Sequence, residues 1–481
     1  MHLPGLPKGP VAFDRCFAPP TEVIQGVTVQ VSSLTEQLAE TLARPVGDAD
    51  RVRAALLVVD WLGCVLGALR NPLCTQLAGV VRVEAGGDAT AITVGRRSPE
   101  AALLINAALG NVLEMDDVHR SAILHPGPVV IPVALAAAQT AGSRGQCFLD
   151  AVVRGYEATI RVGQALGTGH YRYWHPTSTA GAFGAAAAAA SVLALDAEAM
   201  ADALGTAGSR TGGLWQMRHE PVPTKSIHNA EAARSGWLAA RLAAAGLRGP
   251  RQVLEGPQGL FAATAPDASH TGMRAADGED WMIHGTSLKP WPACRHAHPA
   301  IDAMRDALAG GSLAPDAIER IEVATYAEAL RFCDRLHPVT ELEARFSLQH
   351  ALAAIACLGR PEPAHYVPDT FNQPMLQALR ERVVLREDAA CSARFPAHYG
   401  ATVEVHLADG RQLVATRADA WGDPEYPMAA DDVVHKALAL ARWGGVPADV
   451  ARAVIDAARA LAEAGTLTAL TDALEQVPSC A

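Results

Sequence analysis

The stretch TAGAFGAAAAAASVLAL, residues 179–195, predicts a helix made almost entirely of small residues. Alanine has the highest helix propensity, and its small side chain lets neighbouring helix axes approach closely. A second apolar helix is predicted over Ala54–Leu69, where Asp60 is the one charged residue. These two segments predict a core of tightly packed helices.

Helical patterning extends on both sides of these segments, over roughly 200 residues with almost no strand pattern. Leu34, Leu38 and Leu42 recur at intervals of four, which places them on one helix face. Short Gly or Pro punctuation separates further predicted helices at Pro99–Leu113, Pro128–Ala141, Cys147–Leu166, Ala197–Ala207 and Asn229–Ala245.

The pattern changes near Gly285, where alternating apolar residues begin to predict strands. The clearest signal is Asp409-Gly410, a turn pair between two alternating runs, which predicts a β-hairpin. Strands are predicted at Arg320–Tyr326, Arg382–Leu385, Thr402–Leu407 and Gln412–Thr416, and helices at Ala344–Leu358 and Met375–Glu381. The final helices are predicted at Ala429–Arg442 and Pro447–Ala464.

A chain of 481 residues and 50.3 kDa is too long for one ordinary core, so two domains are expected. The patterns predict a mainly α protein with an all-helical main domain built from residues 29–284 and 427–481. An α+β unit, residues 285–426, is inserted between these two parts. Residues 1–28 are expected to form an N-terminal arm.

Charge and composition narrow the class of protein. The net charge of −11 argues against a nucleic-acid partner. Nine scattered cysteines without a C-x-x-C pair are not typical of a disulfide framework. No apolar signal core precedes Thr21, and the uncharged stretches Ser121–Ser143 and Tyr173–Leu195 are better interpreted as buried helices than as membrane spans. We expect a soluble cytoplasmic protein without a membrane partner.

Four polar clusters interrupt the helical patterning. The first is Glu114-Met-Asp-Asp117-Val-His119, followed by His125-Pro-Gly. Buried carboxylates at this density need partners, and a solvated capping loop is the alternative. The second is Trp174-His175-Pro-Thr177, at a helix start where an anion could bind. A turn that staples two helices would also explain it.

The third cluster, Lys225-Ser-Ile-His228, places a cation and an imidazole on one helix face, or alternatively forms a solvated basic turn. The fourth is Lys289-Pro-Trp-Pro-Ala-Cys-Arg295-His-Ala-His298. Metal binding by Cys294, His296 and His298 is considered, but their spacing matches no usual zinc pattern, and an anion-binding turn fits better.

Taken together, the clusters combine cations with imidazoles and carboxylates in an otherwise acidic chain. This combination suits a small polyanion and the abstraction of a proton α to a carboxylate. The sequence contains no Walker loop, G-x-G-x-x-G, G-x-S-x-G or H-E-x-x-H motif, which disfavours nucleotide and serine-nucleophile enzymes.

In this order the clusters resemble motifs of the MmgE/PrpD superfamily, from about Ser33 to Leu461. Segment 106–127 is similar to the family's "D-x-D-D-T … H-P" motif, and the second, third and fourth clusters resemble its H-P-x-S/T, T-K-x-x-H and K-x-x-P motifs. Glu343-Ala-Arg-Phe-Ser-Leu-Gln-His350 resembles its "A-R/K-F-S-x-Q-Y" segment. Glu114, Val118 and His350 depart from the usual Asp, Thr and Tyr, which puts a methylcitrate or aconitate substrate in doubt.

The resemblance implies a helical domain with an inserted α+β lid, a homodimer, no metal and no organic cofactor. It implies a site between domain and lid, in which we expect two groups of residues. The catalytic residues expected are Asp117, His125, His175, Lys225, Lys289 and His350. The substrate-binding residues expected are Glu114, His119, Thr177, His228 and Arg295.

The predicted function is a cofactor-independent hydro-lyase, similar to 2-methylcitrate dehydratase, that acts on a small di- or tricarboxylate. Lys225, Lys289 and Arg295 are expected to hold carboxylates, while Asp117 orients an imidazole that moves the proton. An epimerase or decarboxylase acting at the same site, and a catalytically silent binding protein, are the alternatives.

Overall fold

The computed structural model describes residues 32–83, 86–220, 222–309 and 313–480, and the backbone of two short paired strands, β1 (Glu22–Ile24) and β2 (Val27–Val29). Residues 1–21 of the predicted N-terminal arm lie outside this description. The fold is mainly α with a small sheet, which confirms the predicted fold class.

The first half of the described chain is almost entirely helical. Its helices are α1 (Leu34–Leu42), α2 (Asp48–Gly67), α3 (Pro72–Val81), α4 (Pro99–Leu109), α5 (Gly127–Ala141), α6 (Gly145–Tyr171), α7 (Pro176–Thr179), α8 (Gly181–Val192), α9 (Ala197–Gly208), α10 (Thr224–Ala244) and α11 (Leu260–Thr264). A small antiparallel hairpin, β3 (Ala89–Ala91) and β4 (Gly95–Arg97), interrupts them. The sequence patterns do not predict this hairpin, because strands of three residues are too short to show alternation.

Local sequence explains where several helices begin. Ser33 and Glu36 form a reciprocal capping box at the start of α1. Ser98 caps α4 through the Ala101 amide, and Pro99 occupies the first turn, where no amide donor is needed.

Helix α8 carries the Ala-rich stretch and packs closely against α6 on one side and α10 on another. A β-carbon added at Gly184 would lie 1.7 Å from the Thr159 hydroxyl of α6. One added at Gly236 of α10 would lie 2.3 Å from the Ala185 β-carbon. Contacts this close require glycine, and they confirm the tight helix packing predicted from composition.

The C-terminal helices α19 (Ala430–Trp443), α20 (Ala448–Arg459) and α21 (Thr468–Glu475) join the same core as the N-terminal helices. Asp60, the one charged residue in the apolar part of α2, receives a hydrogen bond from Lys436 of α19 at 2.6 Å. The Lys436 ammonium also donates to the Met115 carbonyl at 2.5 Å. A buried ion pair therefore joins the two ends of the helical part.

By length and composition alone, the segment Asp48–Arg70 could cross a membrane, but 83% of its apolar window is buried inside the structure. This burial is that of a core helix. A disulfide joins Cys74 of α3 to Cys480. The sequence pattern, which is not typical of a disulfide framework, does not predict this pair, because the fold brings together positions 406 residues apart.

The α+β part contains a four-stranded sheet in the order β6-β5-β7-β8. Its strands are β5 (Ile318–Thr325), β6 (Val383–Glu387), β7 (Ala401–Leu407) and β8 (Gln412–Arg417). Strand β5 pairs parallel with β6 and antiparallel with β7. The β7–β8 hairpin confirms the Asp-Gly turn, in which Gly410 adopts a φ of 85°.

Helices cover this sheet and share a second hydrophobic core with it. They are α12 (His298–Ala307), α13 (Ala327–Cys333), α14 (Glu341–Arg345), α15 (Leu348–Leu358), α16 (Pro368–Phe371), α17 (Pro374–Arg380) and α18 (Ala389–Arg394). The single helix predicted over Ala344–Leu358 is in fact broken. Ser347 ends the continuity because its hydroxyl caps α15 through the His350 amide at 3.0 Å.

Candidate functional site

The loop between α4 and α5 forms the centre of the site. Two of its non-glycine residues, Glu114 and Ile123, have left-handed backbones with φ of 53° and 52°. Such conformations are costly, especially for a β-branched residue, and persist only where the surroundings impose them. Reciprocal backbone hydrogen bonds between Val118 and Ser287, at 2.9 and 2.8 Å, fasten the loop to the start of the α+β part.

His125 is held by one of its two ring nitrogens. Its Nδ1 lies 3.0 Å from Asp116 Oδ2 and 2.7 Å from the Asp117 carbonyl oxygen. Both neighbours are acceptors, so Nδ1 carries the proton and Nε2 is left for a substrate. The His125 amide donates to the Thr177 hydroxyl at 3.1 Å, which joins two of the predicted residues.

A fully buried lysine supports this imidazole from behind. Lys289 donates to Asp116 Oδ1 at 3.2 Å, and its ammonium lies 3.6 Å from Glu114 Oε2. Burial opposes the charged form of Asp116, but Lys289 and His125 outweigh it and hold the pKa of this carboxyl well below its usual range. The result is a fixed series of charges, Lys289–Asp116–His125.

Lys225 provides the second ion pair, with Glu114. Burial opposes ionisation of Glu114 as well, yet Lys225 and Lys289 keep the pKa of its carboxyl low. We call the two pairs and His125 the ion network: Glu114, Asp116, His125, Lys225 and Lys289.

Two other imidazoles face the same cavity but are held neutral. Burial, followed by the nearby Lys225 charge, lowers the pKa of His175 well below its usual value. Its Nδ1 lies 3.3 Å from Nδ1 of His228, and its buried Nε2 has no partner within the described residues. Burial also lowers the pKa of His296 to about 3, and its Nδ1 contacts the Tyr326 hydroxyl at 2.7 Å.

The remaining wall of the cavity is aromatic. Tyr171 stacks on Phe332 with ring centres 5.2 Å apart, and Trp215 lies 4.5 Å from the His175 ring. His296 stacks between Phe332 and Tyr399, at 5.0 and 5.3 Å. We call this surface the aromatic wall: Tyr171, Trp215, His296, Phe332, Phe346 and Tyr399.

Six predicted site residues line the cavity directly: Glu114, His125, His175, Thr177, Lys225 and Arg295. Arg295 is paired there with Asp423. Lys289 and His228 do not line the cavity, but Lys289 lies near Glu114 and His228 contacts His175, which both do. His119 is buried within the α4–α5 loop but does not line the cavity, and its Nδ1 lies 3.5 Å from the Ser121 hydroxyl.

Asp117 does not take the position expected of it. The carboxylate beside His125 belongs to Asp116, whereas Asp117 Oδ1 accepts from the Gly127 amide at 3.0 Å. Burial, with the Asp116 charge, raises the pKa of Asp117 to about 7. The two carboxylates are adjacent in sequence but have opposite environments.

His350 lies apart from the cavity, in the core of the α+β part. Its Nε2 donates to the His365 carbonyl at 2.9 Å, and its ring packs edge-on against Tyr366 and Phe371. The segment from Glu343 to His350, on which the expectation for His350 rested, contributes other residues to the site. Phe346 lines the cavity, and Arg345 donates to the Leu113 carbonyl at 3.2 Å.

Sequence reasoning missed Asp116 as the partner of His125, and most of the aromatic wall. Asp116 stands in the first polar cluster, but nothing in the pattern distinguishes it from Asp117. Phe332 and Tyr399 have no local signal, because a ring in a core and a ring on a cavity wall follow the same apolar pattern.

Two other features lack this chemistry. A surface cavity of about 380 Å³ is lined by Asp302, Arg305, Asp306, Ala309, Arg417, Trp421 and Tyr426, without an imidazole. The ligand atoms of His398, Asp419 and Glu425 lie within 4.8 Å of one another, but Arg120 already donates to both carboxylates.

The possible metal ligands Cys294, His296 and His298 do not converge, since His298 contacts the Ala293 carbonyl and His296 contacts Tyr326.

A mainly helical fold with paired buried ions around a histidine belongs to the class of arrangements that occur at enzyme active sites. Family models agree with this class: the MmgE/PrpD N-terminal domain matches residues 32–272, and the MmgE/PrpD C-terminal domain matches residues 291–463. The chain belongs to the MmgE/PrpD family.

The curated relatives carry the name of one lyase. A cis-aconitate decarboxylase-like protein of Aspergillus oryzae is 31% identical over 52% of this chain and 56% of its own length. The cis-aconitate decarboxylase of Aspergillus terreus is 27% identical over 53% of this chain and 55% of its own length. The human cis-aconitate decarboxylase is 28% identical over 71% of this chain and 72% of its own length. The chain thus spans only about half the length of the fungal relatives it matches.

Proposed function

We propose that the chain is a cofactor-independent lyase that removes CO2 from a small unsaturated carboxylate. The cavity between the ion network and the aromatic wall is the proposed substrate site. The names of the curated relatives and the arrangement of proton-carrying groups support this proposal.

One observation carries the proposal. Among the described imidazoles that line the cavity, His125 alone has a carboxylate partner, while His175 and His296 are held neutral by burial. The Asp116 carboxylate, 3.0 Å from Nδ1, holds the ring with Nε2 free for a substrate, so His125 is placed to deliver the proton that the reaction needs. The site therefore suits a reaction with one proton donor.

Decarboxylation of a β,γ-unsaturated acid needs one such donor. The bond to the departing carboxylate breaks, and its electron pair becomes a new carbon–carbon double bond. The π pair of the original double bond takes the proton from His125 Nε2, so one proton enters as CO2 leaves. Lys225 stabilises the charge of a carboxylate that stays on the substrate.

Loss of water, the reaction expected from sequence, needs a base for the carbon-bound proton and an acid for the departing hydroxide. Two-face epimerisation also needs two titratable groups. His175 occupies the second position, where burial keeps it neutral, so in dehydration it would act as the base and His125 as the acid. Dehydration remains a prediction, supported by the unpartnered His175 Nε2 as a contact for a hydroxyl group.

The test is proton NMR in D2O with cis-aconitate, alkyl-substituted glutaconates, methylcitrate and citrate, together with a CO2 assay. Decarboxylation releases CO2 and places one deuterium at the protonated carbon. Release of water with no CO2 would show that the reaction is dehydration and not decarboxylation. Exchange of a substrate proton for deuterium without either product would indicate an epimerase. His125→Gln is the loss variant, and His350→Gln is the matched control.

We also propose the cytoplasmic homodimer that the family resemblance implies, acting on a small carboxylate. Light scattering during size-exclusion chromatography tests the dimer. A mass near 50.3 kDa would contradict it.

A further inference from the structure

The surface cavity of about 380 Å³ lies between α12 and the segment that follows β8. It shares no lining residue with the cavity of the ion network. Its volume is within the range at which proteins bind small molecules. Which ligand it favours depends on which of its polar groups already have partners.

Both carboxylates that line this surface cavity already have partners. Asp302 accepts from the Trp291 indole at 2.9 Å and from the Trp421 amide at 2.7 Å. Arg417 donates to both oxygens of Asp306, at 2.5 and 2.9 Å. The hydrogen-bonding capacity of the two carboxylates is therefore directed away from the remaining cation of the cavity.

That cation is Arg305. Among the described residues its closest carboxylate oxygen is on Asp302, at 4.0 Å, which is beyond hydrogen-bond range. Its guanidinium carbon lies 4.4 Å from the centre of the Trp291 ring, and Arg360 adds a second positive charge over the same ring at 5.4 Å. Burial lowers the pKa of Arg305, and the nearby charges of Asp302 and Asp306 do not offset it. The N–H groups of Arg305 therefore suit an anion from outside the chain.

Two aromatic residues give the cavity an apolar surface beside this cation. Trp421 is half-buried, with its ring centre 5.5 Å from that of Trp291. Tyr426 is 45% exposed, and the Arg417 guanidinium lies over its ring at 5.1 Å. A flat ring placed against Trp421 and Tyr426 would remove apolar surface from water and allow stacking.

We propose that this surface cavity binds a small organic anion with a planar aromatic ring. The carboxylate or phosphate of the ligand pairs with Arg305, and the ring packs on Trp421 and Tyr426. A guanidinium can bind either kind of anion through two parallel N–H bonds. The inference goes beyond the proposed function and does not rest on it, because no residue of the ion network or the aromatic wall takes part.

A series of naphthalene ligands separates the charge from the ring. In calorimetric titrations of the full chain, the Kd of 2-naphthamide should be about tenfold higher than that of 2-naphthoate, because the amide keeps the ring but lacks the charge. The saturated decahydro-2-naphthoate keeps the charge without a flat ring and should bind at least about threefold more weakly. Comparison of 2-naphthoate with 2-naphthyl phosphate identifies the preferred anion. Equal Kd values for the carboxylate and the amide, or no binding of either anion, would overturn the proposal.

Arg305→Gln tests the cation. It should raise the Kd of 2-naphthoate about tenfold and change that of 2-naphthamide by less than about twofold. The matched control is Arg411→Gln in the β7–β8 turn, where an exposed arginine is paired with Asp409, and it should change neither Kd. Because Arg305 also packs on Trp291, thermal unfolding shows whether the variant remains folded. The same Kd for 2-naphthoate in both variants would contradict the proposal.

Tyr426→Leu tests the aromatic surface without a change of charge. The ring is largely exposed, so its removal should not prevent folding. The Kd values of 2-naphthoate and 2-naphthamide should both rise, by roughly threefold, because the two ligands share the ring that packs there. Binding of 2-naphthoate that survives Arg305→Gln and Tyr426→Leu but is lost in Phe332→Ala would place the ligand in the other cavity and overturn the proposal.

Discussion

The ion network and the aromatic wall face one cavity but are built differently. The ion network is concentrated in the α4–α5 loop and two lysines, joined by hydrogen bonds and ion pairs at specific atoms. The aromatic wall collects rings from distant elements that contact one another only by packing. Directional bonds fix where a proton moves, while packing tolerates changes of shape. From this difference we expect the ion network to carry the proposed reaction and the aromatic wall to contribute to substrate binding.

The largest effect is expected from the ion network. His125→Gln removes the proposed proton donor, and kcat should fall by about 10²–10⁴-fold. Stopped assays over a substrate series would separate kcat from KM. The matched change in the aromatic wall, Trp215→Leu, should mainly raise KM. If the two variants lost kcat equally, the division between the regions would be wrong.

Lys289→Met tests whether the network acts as a unit. The variant leaves Asp116 buried without its cation, so the free energy of unfolding should drop by about 3–5 kcal/mol. Loss of the fixed imidazole position should lower kcat by roughly 10²-fold. Urea unfolding and the pH profile of kcat are the measurements. An unchanged pH profile at reduced stability would show that Lys289 acts on folding alone.

Asp117→Asn sharpens the contrast between the adjacent carboxylates. Because the pKa of Asp117 rises to about 7 on folding, the native state holds a proton that the unfolded chain releases above its ordinary value near 3.8. Asp117 therefore lowers the free energy of unfolding as pH rises from about 4 to 7, by about 1.4 kcal/mol for each unit of the pKa difference.

Asparagine mimics the protonated acid and removes this cost. Relative to the parent protein, Asp117→Asn should gain stability at pH 8 and show little difference at pH 4. Urea titrations at both pH values measure the gap. A constant difference across pH would contradict the raised pKa.

The smallest effect on activity is expected at His350, outside both regions. His350→Gln should change kcat/KM by less than about threefold, while the lost hydrogen bond to the His365 carbonyl costs about 1 kcal/mol of stability. Kinetics and thermal unfolding measured on the same sample test both parts. A hundredfold loss of kcat with unchanged stability would contradict this prediction and would mean that His350 acts in the reaction.

Local sequence predicts the helices and the sheet well where the periodic pattern extends over many residues. The Asp409-Gly410 turn defines a hairpin because few residues adopt its backbone angles. The break before α15 is different, since it depends on whether Ser347 caps a new helix or faces outward within one. Serine permits both, and tertiary contacts decide.

The same limit applies to the site. Charged residues in an apolar pattern are conspicuous, and Glu114, His125, Lys225 and Lys289 are predicted for that reason. The choice between Asp116 and Asp117 depends on the left-handed turn at Glu114, which no local pattern predicts. Rings such as Phe332 face the cavity only because separate segments meet there.

The ion pair between Asp60 and Lys436 can form only late in synthesis of the chain. The two residues are 376 positions apart, so a ribosome that adds about 5–20 residues per second makes Asp60 about 20–75 s before its partner. Lys436 also holds the Met115 carbonyl, in the loop that carries the ion network. A nascent chain therefore exposes an incomplete helical surface through most of its synthesis, and a stalled product that lacks the last 50 or so residues cannot assemble this loop.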